Sequence, residues 1–184
     1  MKLLLTSAGI TNRSLASALK DLMKCKIKFA FIPTAANLQE DQKSWLIKNY
    51  NECEKLGEVD IVDIAAIDKS VWLPRLKKAN VIVMGGGNTV YLMECIIKSG
   101  LKEELPSLLK DRVYLGISAG SIVTGRKLSA SSAFLYDDEK KDAPLGLGYT
   151  DFYVRSHLNS PHFPKVRDVY LKKAAKELDG DLYA

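Results

Sequence analysis

Two histidines, three cysteines and six prolines are a small supply for 184 residues, and each scarcity removes a class of protein from consideration. Cys25, Cys53 and Cys95 are odd in number, widely spaced and set in no metal-ligand pattern. A disulfide scaffold or a zinc module is therefore not expected, and the reducing cytoplasm is the expected compartment. Cys95, between Met93 and Ile96-Ile97, reads as a small hydrophobe. Twelve glycines with six prolines are too few for a collagen-like or linker-like chain. No stretch approaches the roughly 20 apolar residues that span a bilayer. Leu3-Leu4-Leu5 after Lys2 imitates the start of a signal peptide, but the run ends at Thr6-Ser7, short of an apolar core of roughly 7–15 residues. No run of five like charges occurs, although 27 Lys+Arg against 22 Asp+Glu give a net charge of +5. That balance reads as a solvated basic surface, with neither nucleic acid nor membrane as a partner.

What is present is an apolar fraction of 47%, enough for one self-sufficient core over residues 1–184. Apolar runs of strand length alternate with segments of helical period. Strands are read at residues 2–6, 28–33, 59–64, 80–84 and 113–117, and several of them are apolar throughout, as strands covered on both faces should be. Helices are read at 12–24, 37–56, 89–99 and 101–110, with Asn37 and Glu40 offering a capping box for the second. This order implies a mostly parallel sheet in a three-layer α/β/α, flavodoxin-like sandwich with right-handed crossovers. From 127 to 149 the texture turns irregular and charged, as in a loop over the sheet edge. A strand at 151–155 and a helix at 165–178 follow, and a last strand begins at Asp181. Ligands in such sheets bind at the carboxyl ends of the strands.

Two segments fall at such ends. Gly116-Ile117-Ser118-Ala119-Gly120 is a G-x-S-x-G between a buried strand and a helix, a turn that lifts the serine hydroxyl out of the sheet as a nucleophile. The plain alternative is a serine capping the next helix. Gly85-Gly86-Gly87-Asn88-Thr89 bares backbone N–H groups at the neighbouring junction. Its spacing fits neither G-x-G-x-x-G nor a P-loop. An oxyanion hole shared with the Ala119 N–H is the better reading, and an anion-binding loop is the rival. A serine nucleophile needs a base and a group to orient it. The base must be His157 or His162, the whole supply. The orienting acid is sought at Asp137 or Asp138, then at Asp142 or Asp151.

These motifs, with the Ile32-Pro33-Thr34-Ala35 loop, resemble the peptidase S51 family of aspartyl dipeptidase (peptidase E) and cyanophycinase. The likeness extends from Lys2 to the helix after Pro164. It implies a class I glutamine-amidotransferase-like fold with serine in place of the nucleophilic cysteine. By resemblance, Ser118 is the nucleophile and His157 the base, because residues 151–157 match the family's short strand ending in histidine. Asp137 falls where the charge-relay acid belongs. Gly86 and Ala119 would form the oxyanion hole, and Gly87 and Asn88 would contact substrate. Pro161-His162 also resembles the family's Pro-His pair, which keeps His162 in contention. Family members usually continue through another strand beyond the position of Ala184. The expected function is a serine-type peptidase acting on small peptides through an acyl-enzyme, without metal or cofactor, as a monomer or homodimer. An ester or amide hydrolase and a non-catalytic module for anionic ligands are the alternatives.

Overall fold

Five apolar runs become one parallel sheet: β1 (Lys2–Thr6), β2 (Lys28–Ile32), β3 (Glu58–Ile61), β4 (Val81–Met84) and β5 (Val113–Ile117). In the computed structural model, which describes residues 1–23, 25–40, 42–128, 134–136 and 145–184, the strand order is β1-β5-β4-β2-β3. The central strands β4 and β5 are buried along their whole length, so nothing polar interrupts Val-Ile-Val-Met or Val-Tyr-Leu-Gly-Ile. Edge strand β3 is mostly exposed and carries charge: Asp60 accepts from Arg75, and Glu58 pairs with Lys26. Charged edges of this kind resist pairing with another chain.

Side chains alternate between the two faces of the sheet, and this alternation builds the layers. Phe29, Phe31, Val81, Val83, Val113 and Leu115 pack against α1 (Arg13–Leu22) and α2 (Ser44–Glu54). Their chain neighbours Ala30, Ile32, Ile82, Met84 and Tyr114 face the opposite layer. There they meet α3 (Lys69–Lys78), α4 (Thr89–Lys98), α5 (Leu101–Leu108) and the short α6 (Ala119–Ile122). The three-layer α/β/α sandwich is as expected. Among the described residues no helix is long and apolar enough to cross a membrane.

Three elements differ from the sequence reading. The expected helix from residue 37 is instead a 3-10 turn at Thr34–Leu38, followed by α2 from Ser44. Asn37 does not cap a helix, because its Nδ2 donates to Asp63 at 2.9 Å while the Thr34 hydroxyl donates to the same carboxylate at 2.6 Å. These bonds hold the Asp63 carboxyl below the usual range against its partial burial. Helix α3 occupies a stretch to which no element was assigned. Pro74 lies inside it and weakens the local signal, but Trp72 and Leu76 are both fully buried and their packing prevails. Finally, the strand expected at 151–155 does not join the main sheet. Only β6 (Tyr153–Val154) forms, paired in parallel with β7 (Leu182–Tyr183) as a separate ribbon. Beside this ribbon, α7 (Asp168–Ala175) buries Leu171 and Ala174 with Val166 and Leu135. The irregular stretch begins with a bridge between Lys127 and Leu145.

The topology places the site. From β2 the chain runs outward to β3, then returns past β2 to β4 and on to β5. Loops leaving β2 and β4 therefore diverge, and a crevice opens at the carboxyl ends of the strands.

Candidate active site

Ser118 follows β5 directly, with φ 49° and ψ −110°. This is a sparsely populated backbone conformation for a residue with a Cβ, and the surrounding structure must impose it. Several bonds do so. The Ser118 N–H donates to the Thr6 carbonyl at 3.0 Å, and the Ser121 hydroxyl donates to the same oxygen at 2.8 Å. The Thr6 hydroxyl donates to the Gly116 carbonyl at 2.8 Å, and the buried Tyr114 phenol donates to the Gly120 carbonyl at 2.6 Å. Gly120 is required by close approach: a Cβ there would lie 2.0 Å from the Met84 carbonyl oxygen. The elbow is thus tied to β1 and packed onto β4.

The neighbouring Gly85–Asn88 loop divides its N–H groups between structure and site. The Gly85 N–H donates to the Ile32 carbonyl at 3.0 Å, and the Asn88 N–H to the Ala35 carbonyl at 2.9 Å. The Asn88 side chain accepts from the Tyr91 N–H at 2.8 Å and so caps α4. Among the described residues, the N–H groups of Gly86, Gly87 and Ala119 have no hydrogen-bond partner. Gly86 lies beside the elbow: a Cβ on it would be 3.3 Å from the Ser118 Cβ and 3.6 Å from the Trp45 ring. Gly87 has φ +134°, and a Cβ there would lie 2.2 Å from the Ala35 carbonyl oxygen. Gly87→Ala is therefore expected to cost about 2 kcal/mol or more. In a chain of this size, that lowers the thermal midpoint by roughly 4–8 °C, measurable by calorimetry.

A histidine reaches Ser118 from the far side of the sheet edge. Past β6, Arg155 and Ser156 are buried, and the Tyr136 phenol donates to the Ser156 carbonyl at 3.0 Å. His157 follows with φ +72°. Its Nε2 lies 2.8 Å from Ser118 Oγ. Its backbone N–H donates to the Ser7 hydroxyl at 2.8 Å, and its Nδ1 lies 3.5 Å from the same oxygen. One face of the ring stacks on Phe163, with centroids 4.2 Å apart and planes within 6°. Burial, aided by nearby His162, pushes the imidazole down from 6.5 to about 4. The ring is therefore neutral at pH 7 and can accept a proton.

His162 is exposed, with its N–H donating to Ser160 at 3.3 Å. The chain does fold back after His157, but it is Phe163 that the fold-back delivers to the ring. Asp151 is exposed, whereas Asp137, Asp138 and Asp142 lie outside the described residues. Ser7, Phe163 and Trp45 were not anticipated. Ser7 follows Thr6, which is in register with Ile117, so Ser7 and Ser118 leave adjacent strands side by side. Only the strand order reveals that pairing. Ser7 and Ser156 also line a groove of about 460 Å³ between β1 and the β6–β7 ribbon.

A family model described as peptidase family S51 matches residues 3–182. An uncharacterized peptidase of Listeria monocytogenes is 27% identical over 170 residues, covering 84% of this chain and 82% of that protein. Peptidase E of Streptomyces coelicolor is 26% identical over 113 residues, 58% of this chain and 46% of that one. A crystal structure described as a peptidase E protein from Listeria monocytogenes superposes with a TM-score of 0.80 at 23% identity, over 100% of this chain and 90% of that one.

Proposed function

Because the chain belongs to peptidase family S51, we propose that it is a serine-type peptidase that cleaves small peptides through an acyl-enzyme. The observation that carries the reading is the 2.8 Å approach of His157 Nε2 to Ser118 Oγ at a strained turn, beside the N–H groups of Gly86 and Ala119. Nε2 takes the hydroxyl proton as Oγ attacks the peptide carbonyl. The oxyanion accepts from the Gly86 and Ala119 N–H groups, which are set in place before the charge develops. The imidazolium then gives its Nε2 proton to the leaving amine. Water, deprotonated by the same nitrogen, attacks the acyl-enzyme and frees Ser118. Gly87 and Asn88 border the substrate beyond the oxyanion hole. Asp137 remains the proposed acid of the triad on family resemblance, and it lies outside the described residues.

A fluorophosphonate probe tests this reading, since it requires an activated serine and no knowledge of the substrate. The expected result is one covalent adduct, located on Ser118 by peptide mass mapping and absent from Ser118→Ala. A chain that folds but takes no label would instead be a binding module for anionic ligands at Gly85–Asn88.

A further inference from the structure

We propose that Ser7 is the positioning residue for His157, holding the ring and its proton in the arrangement that leaves Nε2 free to take the Ser118 proton. The proposal rests on the reading of Ser118 and His157 as nucleophile and base.

A serine oxygen has two acceptor sites and one donor. One site of Ser7 Oγ is filled by the His157 backbone N–H at 2.8 Å. The other faces Nδ1 at 3.5 Å. If Nδ1 carries the ring proton, it points at that second site, and Nε2 has a lone pair directed at Ser118. In the other tautomer Nε2–H would point at Ser118 Oγ, which could then not deliver its proton. A single hydroxyl thus fixes the backbone of a residue at φ +72° and offers its ring proton an acceptor, a role it would share with the Asp137 carboxylate proposed for the triad. Phe163 fixes the plane of the same ring. Ring plane, backbone and proton are each held by a separate contact.

The placement of Ser7 is itself controlled. It follows Thr6, whose carbonyl takes both the Ser118 N–H and the Ser121 hydroxyl. The same few residues at the end of β1 therefore hold the nucleophile's turn and the base. Ser7 is exposed and borders the 460 Å³ groove, so other side chains can be accommodated there without disturbing the core.

Among the described residues, His162 on its own segment is the charged group that acts on the ring, and the Tyr136 phenol bonds the neighbouring Ser156 carbonyl. The end of β1 contributes the neutral Ser7 hydroxyl, and the elbow contributes Ser118. A hydroxyl supports a neutral imidazole but stabilises its cation less than a carboxylate would. A carboxylate introduced at position 7 should therefore raise the basicity of His157.

The test uses the full chain with four substitutions, each checked for an unchanged thermal midpoint. Fluorophosphonate labelling is followed against pH, and the His157 ring nitrogens are followed by NMR. Ser7→Ala should slow labelling about 10–100-fold, the scale of one or two neutral hydrogen bonds, and should change the Nδ1 resonance of His157. Ser7→Thr should restore most of the rate. Ser7→Asp should move the acid limb of the profile, and the His157 titration, to higher pH. If Ser7→Ala labels at the wild-type rate with an unmoved His157 titration, the role assigned to Ser7 is wrong. It is also wrong if Asp137→Asn alone moves the acid limb and Ser7→Asp does not. A wild-type chain that takes no label would instead overturn the reading of Ser118 as nucleophile, while the NMR arm still reports whether Ser7 holds the ring.

Discussion

Ser118→Ala should reduce peptide turnover about a million-fold, the scale seen when a serine protease loses its nucleophile. About 10³–10⁴-fold catalysis over water should survive from the oxyanion hole and from binding. The Gly86 and Ala119 N–H groups belong to the backbone, so the substitution leaves them in place. Stability supplies a second readout with the opposite sign. Ser118 holds φ 49° and ψ −110°, a conformation that costs about 1–3 kcal/mol for a residue with a Cβ. Alanine keeps that cost. Glycine relieves it, at the expense of greater freedom in the unfolded chain. Ser118→Gly is therefore expected to be as inactive as Ser118→Ala but to melt at a higher temperature. Equal melting temperatures for the two variants would show that the strain relieved is no larger than the freedom glycine adds to the unfolded chain. Retained turnover in either would remove Ser118 from the reaction.

The strain also explains why this part of the site could be read in the sequence while other parts could not. A buried strand such as Val113–Ile117 announces itself by a continuous apolar run, and a forced turn announces itself by the glycines on either side of it. Gly116 and Gly120 mark the elbow because neighbouring backbone leaves no room for a Cβ. Gly85 and Gly87 mark the adjoining loop for the same reason. Both signals are local. The contacts made by Ser7 and Phe163 are not. Ser7 reaches His157 across 150 positions of sequence, and only because β1 pairs with β5 at the sheet edge, an order that periodicity does not encode. Phe163 reaches the same ring through a turn in which Ser160 N–H bonds the His157 carbonyl and Asn159 N–H bonds the Val166 carbonyl. Pro161 and Pro164 around His162 fit an extended or a turning course, and these backbone bonds make it a turn. The 3-10 turn at Thr34–Leu38 has a similar origin. Asn37 is a good helix cap by type, but Asp63 at the end of a neighbouring strand recruits its side chain first. Long-range partners decide such residues, whereas apolar runs and glycine turns are decided within a few positions of the chain.

His157→Gln should cost several orders of magnitude in turnover, and the pH profile should identify the reason. Glutamine can occupy similar space and bond to Ser7, but it cannot take a proton from Ser118 at neutral pH. Activity lost in that variant would therefore report the loss of a base. In the wild-type enzyme, burial and His162 hold the imidazole at about 4. The second-order constant kcat/KM should stay level as pH falls through 6.5 and drop only near 4, since it follows the free enzyme's base. The stability consequence has a definite sign. The unfolded chain binds a proton at this histidine near its ordinary value of 6.5, and the folded chain does not until about 4. Between those values the unfolded state holds more protons, so the folded state loses stability as pH falls through that window. His157→Gln removes this contribution, and its melting temperature should decline less steeply than that of the wild type between pH 6.5 and 4. His162, exposed on the same segment, enters only through its charge. His162→Gln removes a cation from beside the ring, so it should move the acid limb of kcat/KM slightly upward and leave the plateau near the wild-type value. A plateau lost in His162→Gln but kept in His157→Gln would exchange the roles of the two histidines. The 2.8 Å approach of His157 to Ser118 and the parallel stack of Phe163 on its ring are the observations that such a result would have to overcome.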